Sequence, residues 1–139
     1  MIQHISFAPW VESVQARLPF RIPGRFLRFI NAYEFIDFSF PDLRLYNNTG
    51  AEDRWSWPVA LFCDETIFAV TTRYRFLPIG QPDEANYDRI CLDLNRLKNG
   101  DCPVVQLDHE EILINERIKI VSDRFATFEA LEQKILKKE

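Results

Sequence analysis

Glycine, cysteine and long apolar runs are scarce in this chain, and each shortage excludes a class of protein. Only four of the 139 residues are glycine, and neither a GxGxxG pattern nor a P-loop occurs, which argues against nucleotide binding. The cysteines Cys63, Cys91 and Cys102 are odd in number and widely spaced, so they predict neither a disulfide framework nor a CxxC metal or redox motif. We expect three buried thiols in a reducing compartment.

Membrane and export signals are also missing from the sequence. The longest apolar runs have only a few residues, whereas a transmembrane helix needs about 18 or more. The N-terminus has no basic cluster followed by an apolar segment and a small-residue cleavage site, as a secretory signal would. These absences predict a cytoplasmic protein that makes no contact with a membrane.

Residues arranged for catalysis are equally sparse. No GxSxG pattern occurs, and histidine is found only at His4 and His109. The one cluster of interest is 108–111, Asp-His-Glu-Glu. If this segment is a strand, Asp108 and Glu110 point to one side and His109 to the other, so the ligands do not converge. We therefore predict no catalytic residue, no metal and no cofactor, and a small hydrolase using Asp108 and His109 is the third and weakest alternative.

Apolar and aromatic residues are plentiful. The apolar fraction is 47%, and 12 residues are phenylalanine. A chain of this length buries roughly 68% of its unfolded surface, enough for a core without disulfide or metal support. With no internal repeat or low-complexity linker, residues 1–139 are predicted to form one domain.

Apolar periodicity divides the chain into helices, then strands, then a helix. Spacing of three to four predicts helices over 9–18 and 22–30 and a final helix on which Phe125, Phe128, Leu131 and Ile135 share a face, with Ser122 or Asp123 as its cap. Alternation predicts strands over 35–40, 43–46, 89–94, 103–107 and 118–120, and for 89–94 the spacing also fits a helix that continues through Leu97. Two apolar runs, 57–63 and 66–72, predict a β-hairpin turning at Asp64-Glu65.

This order of elements predicts an α+β fold. The strands follow one another too closely for helical crossovers, so the sheet should be mainly antiparallel. We expect the N-terminal helices and the C-terminal helix to pack on that sheet.

Charge is unevenly distributed along the chain. The net charge is −4, yet residues 83–116 contain nine acidic residues and only three basic ones. An acidic surface disfavours nucleic acid, because phosphate contacts need basic side chains, and it suits a basic protein partner. We predict partner-binding roles for Asp83, Glu84, Asp88, Asp108 and Glu110, and for Trp55, which follows a polar loop where an exposed tryptophan suits an interface anchor.

Several segments jointly resemble the SUKH superfamily. The two strand motifs of this superfamily are similar to residues 76–94 and 102–110, and its final helix motif is similar to residues 124–131. Its N-terminal motif is similar to residues 22–31. The order and spacing of these motifs agree over roughly residues 22–136. The resemblance implies an α+β, SUKH-like fold without enzymatic activity.

The resemblance also implies a function in protein binding. Many bacterial members are immunity proteins that neutralise toxins of polymorphic toxin systems, and many such toxins are nucleases with basic clefts. We therefore predict an immunity protein that binds the catalytic domain of a toxin through its acidic surface. The alternative is a regulatory scaffold of the same fold that binds cellular partners, as the fungal branch does.

Overall fold

A computed structural model describes residues 2–5 and 8–138 of the chain. The helices within these ranges are α1 (Val11–Arg17), α2 (Gly24–Ala32), α3 (Val59–Phe62), α4 (Glu65–Arg73), α5 (His109–Asn115) and α6 (Phe128–Lys138). The strands are β1 (Ile2–His4), β2 (Tyr33–Phe35), β3 (Ser39–Phe40), β4 (Leu43–Leu45), β5 (Phe76–Gln81), β6 (Arg89–Asp93), β7 (Val104–Leu107) and β8 (Ile120–Phe125).

The strands form an antiparallel sheet of six, in the order β3-β4-β5-β6-β7-β8, and a separate pair, β1-β2. Gly80 pairs with Ile90 and Arg89 with Leu107, so the end of β5, the start of β6 and the end of β7 lie side by side. The predicted α+β class with a mainly antiparallel sheet is confirmed. β6 alternates in sequence but is buried on both faces, because helices cover both sides of the sheet.

Two apolar clusters bury the two faces of the sheet. The first joins α1, α2 and α6 to sheet residues that include Leu77, Ile90 and Leu92. The second joins α4 and α5 to Phe76, Cys91, Val105 and Leu107. The expected docking of the N-terminal and C-terminal helices is confirmed, and a further helical layer, α4 with α5, lies on the opposite face.

The predicted β-hairpin over 57–72 is wrong, because both halves are helical. The side chain of Asp64 accepts a hydrogen bond from the Ile67 amide at 3.0 Å and caps the start of α4. The threonines that favoured a strand bond back to carbonyls four residues earlier, Thr71 to Ile67 at 2.7 Å and Thr72 to Phe68 at 2.6 Å. Burial of Ile67 and Val70 against the sheet outweighs the strand preference of β-branched residues.

The continuous strand predicted over 35–40 is also wrong. The chain turns at Asp37, whose φ is +52°, and this turn separates β2 from β3. Two asparagines hold the bend. Asn48 accepts from the Phe35 amide and Asn47 from the Asp37 amide, both at 2.7 Å.

The last helix is shorter than predicted and has a different cap. Phe125 ends β8, while Phe128, Leu131 and Ile135 are fully or almost fully buried as expected. Neither Ser122 nor Asp123 caps α6. Thr127, directly before the helix, accepts from the Ala130 amide at 3.1 Å, and the Asp101 carboxylate adds a second cap by accepting from the amides of Phe128 at 2.8 Å and Glu129 at 3.2 Å. A residue 27 positions away thus satisfies donors that local sequence leaves open.

The strand expected at 108–111 is a helix instead. Asp108 is the N-cap of α5, with its carboxylate accepting from the amides of Glu110 at 2.9 Å and Glu111 at 3.2 Å. The acidic first turn of α5 is favourable because the helix dipole is positive there.

The cysteines differ from expectation at one position. Cys91 and Cys102 are buried, but Cys63 is exposed at the end of α3. Burial raises the pKa of the Cys102 thiol to about 12, which keeps it protonated and unreactive. Among the helices of the described residues, none is long and apolar enough to span a membrane.

Candidate functional site

Five of the predicted partner-binding residues come together at one end of the central strands. Loop 82–88 joins β5 to β6 and contains Asp83, Glu84 and Asp88, and α5 begins directly after β7 with Asp108 and Glu110. Because β5, β6 and β7 are antiparallel neighbours, the loop and the start of α5 meet at the same edge of the sheet. We call this region, loop 82–88 with residues 108–110, the acidic end.

The centre of the acidic end is the Asp88 carboxylate. One of its oxygens accepts from the His109 amide at 3.0 Å and lies 2.6 Å from Nδ1 of the His109 ring. The other accepts from the Gln106 side chain at 2.8 Å. Gln106 in turn accepts from Arg124, whose guanidinium also donates to the Asp42 carbonyl at 2.7 Å. Asp88 therefore ties loop 82–88 to β7 and α5.

These hydrogen bonds decide the protonation of Asp88. Burial on its own raises the pKa of the Asp88 carboxyl, but the bonds from the His109 amide, the His109 ring and Gln106 outweigh burial. The pKa of Asp88 is therefore lowered from its ordinary value. The group is ionised at neutral pH and its charge is fixed in place.

Asp88, Asp108 and His109 also form the one His/Asp group of metal-binding spacing among residues 2–5 and 8–138. One ligand atom of each lies within 4.8 Å of the other two. Sequence reasoning did not foresee this group, because Asp88 is 20 residues from Asp108 and the segment was expected to be extended. All three side chains are already engaged: Asp108 caps α5, and Asp88 accepts from three donors. A cation would displace these bonds and face the positive pole of α5.

Loop 82–88 is held in shape by its own side chains. The Asp83 carboxylate accepts from the amides of Ala85 at 2.7 Å and Asn86 at 2.8 Å, and Asn86 accepts from the Asp88 amide at 2.9 Å. Gln81 donates to the Asn86 carbonyl at 3.2 Å. The loop is therefore pre-organised, and Asp83 stabilises the loop conformation in addition to contributing a negative charge.

Trp55 joins this surface through Arg44. The Arg44 guanidinium stacks 4.1 Å above the Trp55 ring and forms ion pairs with Glu84 and Asp37. Arg44 reaches Glu84 because it pairs with Gln81 in the sheet. Here β4 approaches Gly80 so closely that a Cβ would lie 2.3 Å from the Arg44 carbonyl oxygen, and glycine is required.

Trp55 itself is only partly exposed. Its carbonyl accepts from the Asn47 amide at 2.7 Å, and its ring lies 5.7 Å from that of Tyr46. Trp55, Glu84 and Tyr87 line one pocket together with Arg54 and Gln81. Tyr87 is 52% exposed, and its ring meets the His109 ring edge-on at 6.0 Å. The aromatic groups thus connect Trp55 to the acidic end.

Residues absent from the prediction complete the site. Arg44 and Tyr87 could have been recognised, the first as an outward residue between Leu43 and Leu45 and the second as an aromatic next to loop acids. Arg89 carries no such signal, because the alternation of β6 predicts that its side chain is exposed. Arg89 is only 8% exposed, and its guanidinium donates a hydrogen bond to the Tyr87 carbonyl.

The acidic segment 83–116 does not form one surface. Asp93 is buried at the other end of β6, where it pairs with Arg96, and Asp101 caps α6 there. Glu116 ends α5 and pairs with Arg73. Only part of the net charge counted in the sequence therefore lies at the acidic end.

Comparisons of the chain with models of known protein families, with curated proteins and with solved structures find no match. The resemblance to the SUKH superfamily accordingly stays a prediction made from sequence motifs.

Proposed function

We propose that this protein is a non-enzymatic binding domain, and that its partner is the catalytic domain of a toxin that it neutralises as an immunity protein. The observation that carries the proposal is the meeting of five acidic residues with Trp55 and Tyr87 around loop 82–88. The family resemblance supplies the class of partner.

The acids at this surface divide into two groups with different roles. Asp83, Asp88 and Asp108 accept hydrogen bonds from backbone amides and thereby hold the loop and α5. The Glu84 side chain is 73% exposed and Glu110 is exposed, and neither accepts a backbone hydrogen bond within the described residues. We assign recognition chiefly to Glu110 and Glu84, since neither carboxylate holds the backbone of the loop or of α5, although Glu84 also pairs with Arg44.

Trp55 and Tyr87 supply the apolar part of the surface. Interfaces gain most of their binding energy from a few aromatic or arginine anchors surrounded by polar residues. Tyr87 is the more exposed ring and stands beside the acids, whereas Trp55 is covered in part by Arg44. Fixed acids around such anchors would attract a basic cleft and occupy it in place of the toxin's substrate.

A regulatory scaffold remains the alternative, because it would use the same surface for a cellular partner. The hydrolase alternative draws on one specific feature, the 2.6 Å contact of His109 with Asp88, which resembles the base and orienting acid of catalytic sites. Such a site also needs a nucleophile or an activated water, and the groups around His109 in the described structure are Asp88, Asp108 and the Tyr87 ring.

The test is co-expression of the chain with the toxin domain encoded beside its gene, scored by survival. We expect the Glu84→Lys/Glu110→Lys variant to lose protection, because both charges facing the basic cleft are reversed. The matched control is Glu12→Lys/Glu65→Lys, which makes the same change of net charge at exposed first-turn positions of α1 and α4. Full protection by the first variant, with a folded protein by circular dichroism, would contradict the proposal.

A purified enzyme assay separates the hydrolase alternative. A hydrolase would act on substrate without any toxin, and His109→Gln would abolish the activity. A scaffold would bind a host protein and give no protection in the survival assay.

A further inference from the structure

A pocket of about 200 Å³ opens beside the acidic end, and its lining includes an arginine next to one of the acids. Its lining residues are Arg54, Trp55, Gln81, Glu84 and Tyr87. Ligand sites for cofactors and drug-sized molecules occupy about 300–1,000 Å³. This pocket therefore suits a single functional group such as one side chain.

Two arginines at this pocket lack an anionic partner. Arg54 is exposed and lines the pocket. Arg89 is buried and is not part of the lining, but its guanidinium donates to the carbonyl of Tyr87, which is a lining residue. Within residues 2–5 and 8–138, no carboxylate lies within ion-pair distance of either guanidinium. A buried charge is costly unless it is paired, so Arg89 is the unusual member of the two.

Gln81 connects the pocket to the buried side chain of Tyr46. The Tyr46 hydroxyl donates to the Gln81 side chain at 3.0 Å, and Gln81 lines the pocket. Burial raises the pKa of Tyr46, and the fields of Arg89 and Arg54 both oppose that rise. The positive charges of Arg89 and Arg54 therefore both act on the Tyr46 hydroxyl.

The remaining charge in the pocket is Glu84, and it is already engaged. Its carboxylate pairs with Arg44, which stacks on Trp55 and also pairs with Asp37. The Glu84 carboxylate therefore repels an incoming anion less than an unpaired carboxylate would. The charges of Arg54 and Arg89 are not neutralised by an ion pair among the described residues, so they attract the anion.

We infer that this pocket receives one carboxylate side chain, an aspartate or glutamate of a bound protein partner. Arg54 contacts the carboxylate directly, and the buried charge of Arg89, next to the lining residue Tyr87, adds to the attraction. The aromatic rim of Trp55 and Tyr87 is typical of a protein interface. The inference rests on the proposed binding function, which makes the occupant a side chain of a protein partner. It adds a site for one acidic side chain to a surface that otherwise attracts basic side chains.

The role of such a pocket is to fix register. Exposed acids draw a basic partner in over a distance, but long-range attraction does not define one orientation. A single carboxylate that must enter this pocket does define one orientation. A partner that has no such carboxylate leaves the buried Arg89 without an anionic partner. Recognition then depends on both signs of charge.

The test uses the isolated domain and two matched probes, N-acetyl-aspartyl amide and its asparagine counterpart, followed by NMR of the Trp55 indole and arginine Nε–H signals at constant ionic strength. We expect saturable shifts with the aspartyl probe and none with the asparaginyl probe. Arg54→Gln should weaken binding about tenfold or more, since hydrogen bonds to charged groups are strong. Arg21→Gln, an exposed arginine in another loop, is the control.

Three further variants test whether the probe responds to the charges at the pocket. Glu84→Gln should tighten binding of the aspartyl probe because it removes the one carboxylate lining the pocket, although the same change weakens attraction of a basic toxin. Arg89→Lys should retain binding and Arg89→Gln should lose it. The inference would be overturned if both probes gave equal shifts, or if Arg54→Gln left the shifts unchanged. Tighter binding of inorganic phosphate than of the aspartyl probe would also overturn it. These outcomes do not depend on whether the chain protects against a toxin.

Discussion

Asp88 shows how one side chain connects the fold to the candidate surface. It accepts hydrogen bonds from the His109 amide, the His109 ring and Gln106, so it fixes the loop that displays Glu84 and Tyr87. The sequence predicts Asp88 only as one of several partner-binding acids. Its side chain is only 13% exposed, and removing it would leave the His109 amide without its acceptor.

We predict that Asp88→Asn lowers the free energy of unfolding by about 1–3 kcal/mol near neutral pH, because a strong acceptor of three donors becomes a weaker one. The pKa of Asp88 is lowered in the folded state. Its contribution is therefore complete above the ordinary value of 3.8 and is lost as the pH falls below it through the lowered pKa. The deficit of the variant should shrink below that pH.

Urea unfolding at about pH 5 and about pH 2.5 measures this difference, with both values below the usual titration range of histidine. Glu52→Gln is the control, an exposed acid in the polar loop. A deficit that stays constant between the two pH values would mean that Asp88 does not act through its charge.

At the scale of elements, α6 and α4 show what the sheet demands of its helices. α6 buries Phe128 against Phe26 and Phe29, with ring centroids 5.0 and 5.4 Å apart, and is capped by Asp101 from a distant turn. α4 covers the other face through Ile67 and Val70. Each helix thus depends on contacts outside itself, as expected for helices too short to be stable alone.

We predict that Phe128→Ala lowers the free energy of unfolding by about 3–5 kcal/mol, the usual cost of truncating a buried phenylalanine. Phe128 is 1% exposed and contacts two other aromatic rings. Lys137→Ala, on the exposed side of the same helix, should change stability little. Thermal and urea unfolding measure both variants, and similar small effects from the two would show that α6 is not docked as described.

At the scale of the whole molecule, the sheet separates two kinds of acid. One end of β5, β6 and β7 presents Glu84 and Glu110 to solvent, while the other end uses Asp93 and Asp101 internally. Loop 82–88 is pre-organised by its own hydrogen bonds, which lowers the entropy that a partner must remove on binding.

We predict that association with a basic toxin domain slows as salt rises, because exposed charges are screened beyond about 8–10 Å at physiological ionic strength. Stopped-flow measurement between about 50 and 500 mM salt should give a steep slope for the wild type and a shallower one for Glu84→Lys/Glu110→Lys. The Glu12→Lys/Glu65→Lys control should keep most of the slope. A rate independent of salt would favour an apolar recognition mode and hence the scaffold alternative.

The sequence by itself determined the α+β class, the antiparallel sheet and the helices α1, α2 and α6. Apolar repeats of two and of three to four residues record which face is buried, and the short connection between β6 and β7 favours antiparallel pairing. The sequence did not show that helices also connect β4 to β5 and β7 to β8. It also indicated the acidic residues and Trp55 as a surface of interest, since charge and aromatic content are visible without coordinates.

Tertiary structure decided the rest, for three physical reasons. The segments 57–72 and 108–111 are helices because burial against the sheet and the caps Asp64 and Asp108 outweigh local strand preference. The contact of Asp88 with His109 joins residues 21 apart, and no local pattern encodes it. Arg89 is buried without a carboxylate at ion-pair distance in the described part of the chain, and local alternation does not show this, because a strand residue is exposed or buried according to what packs on its face.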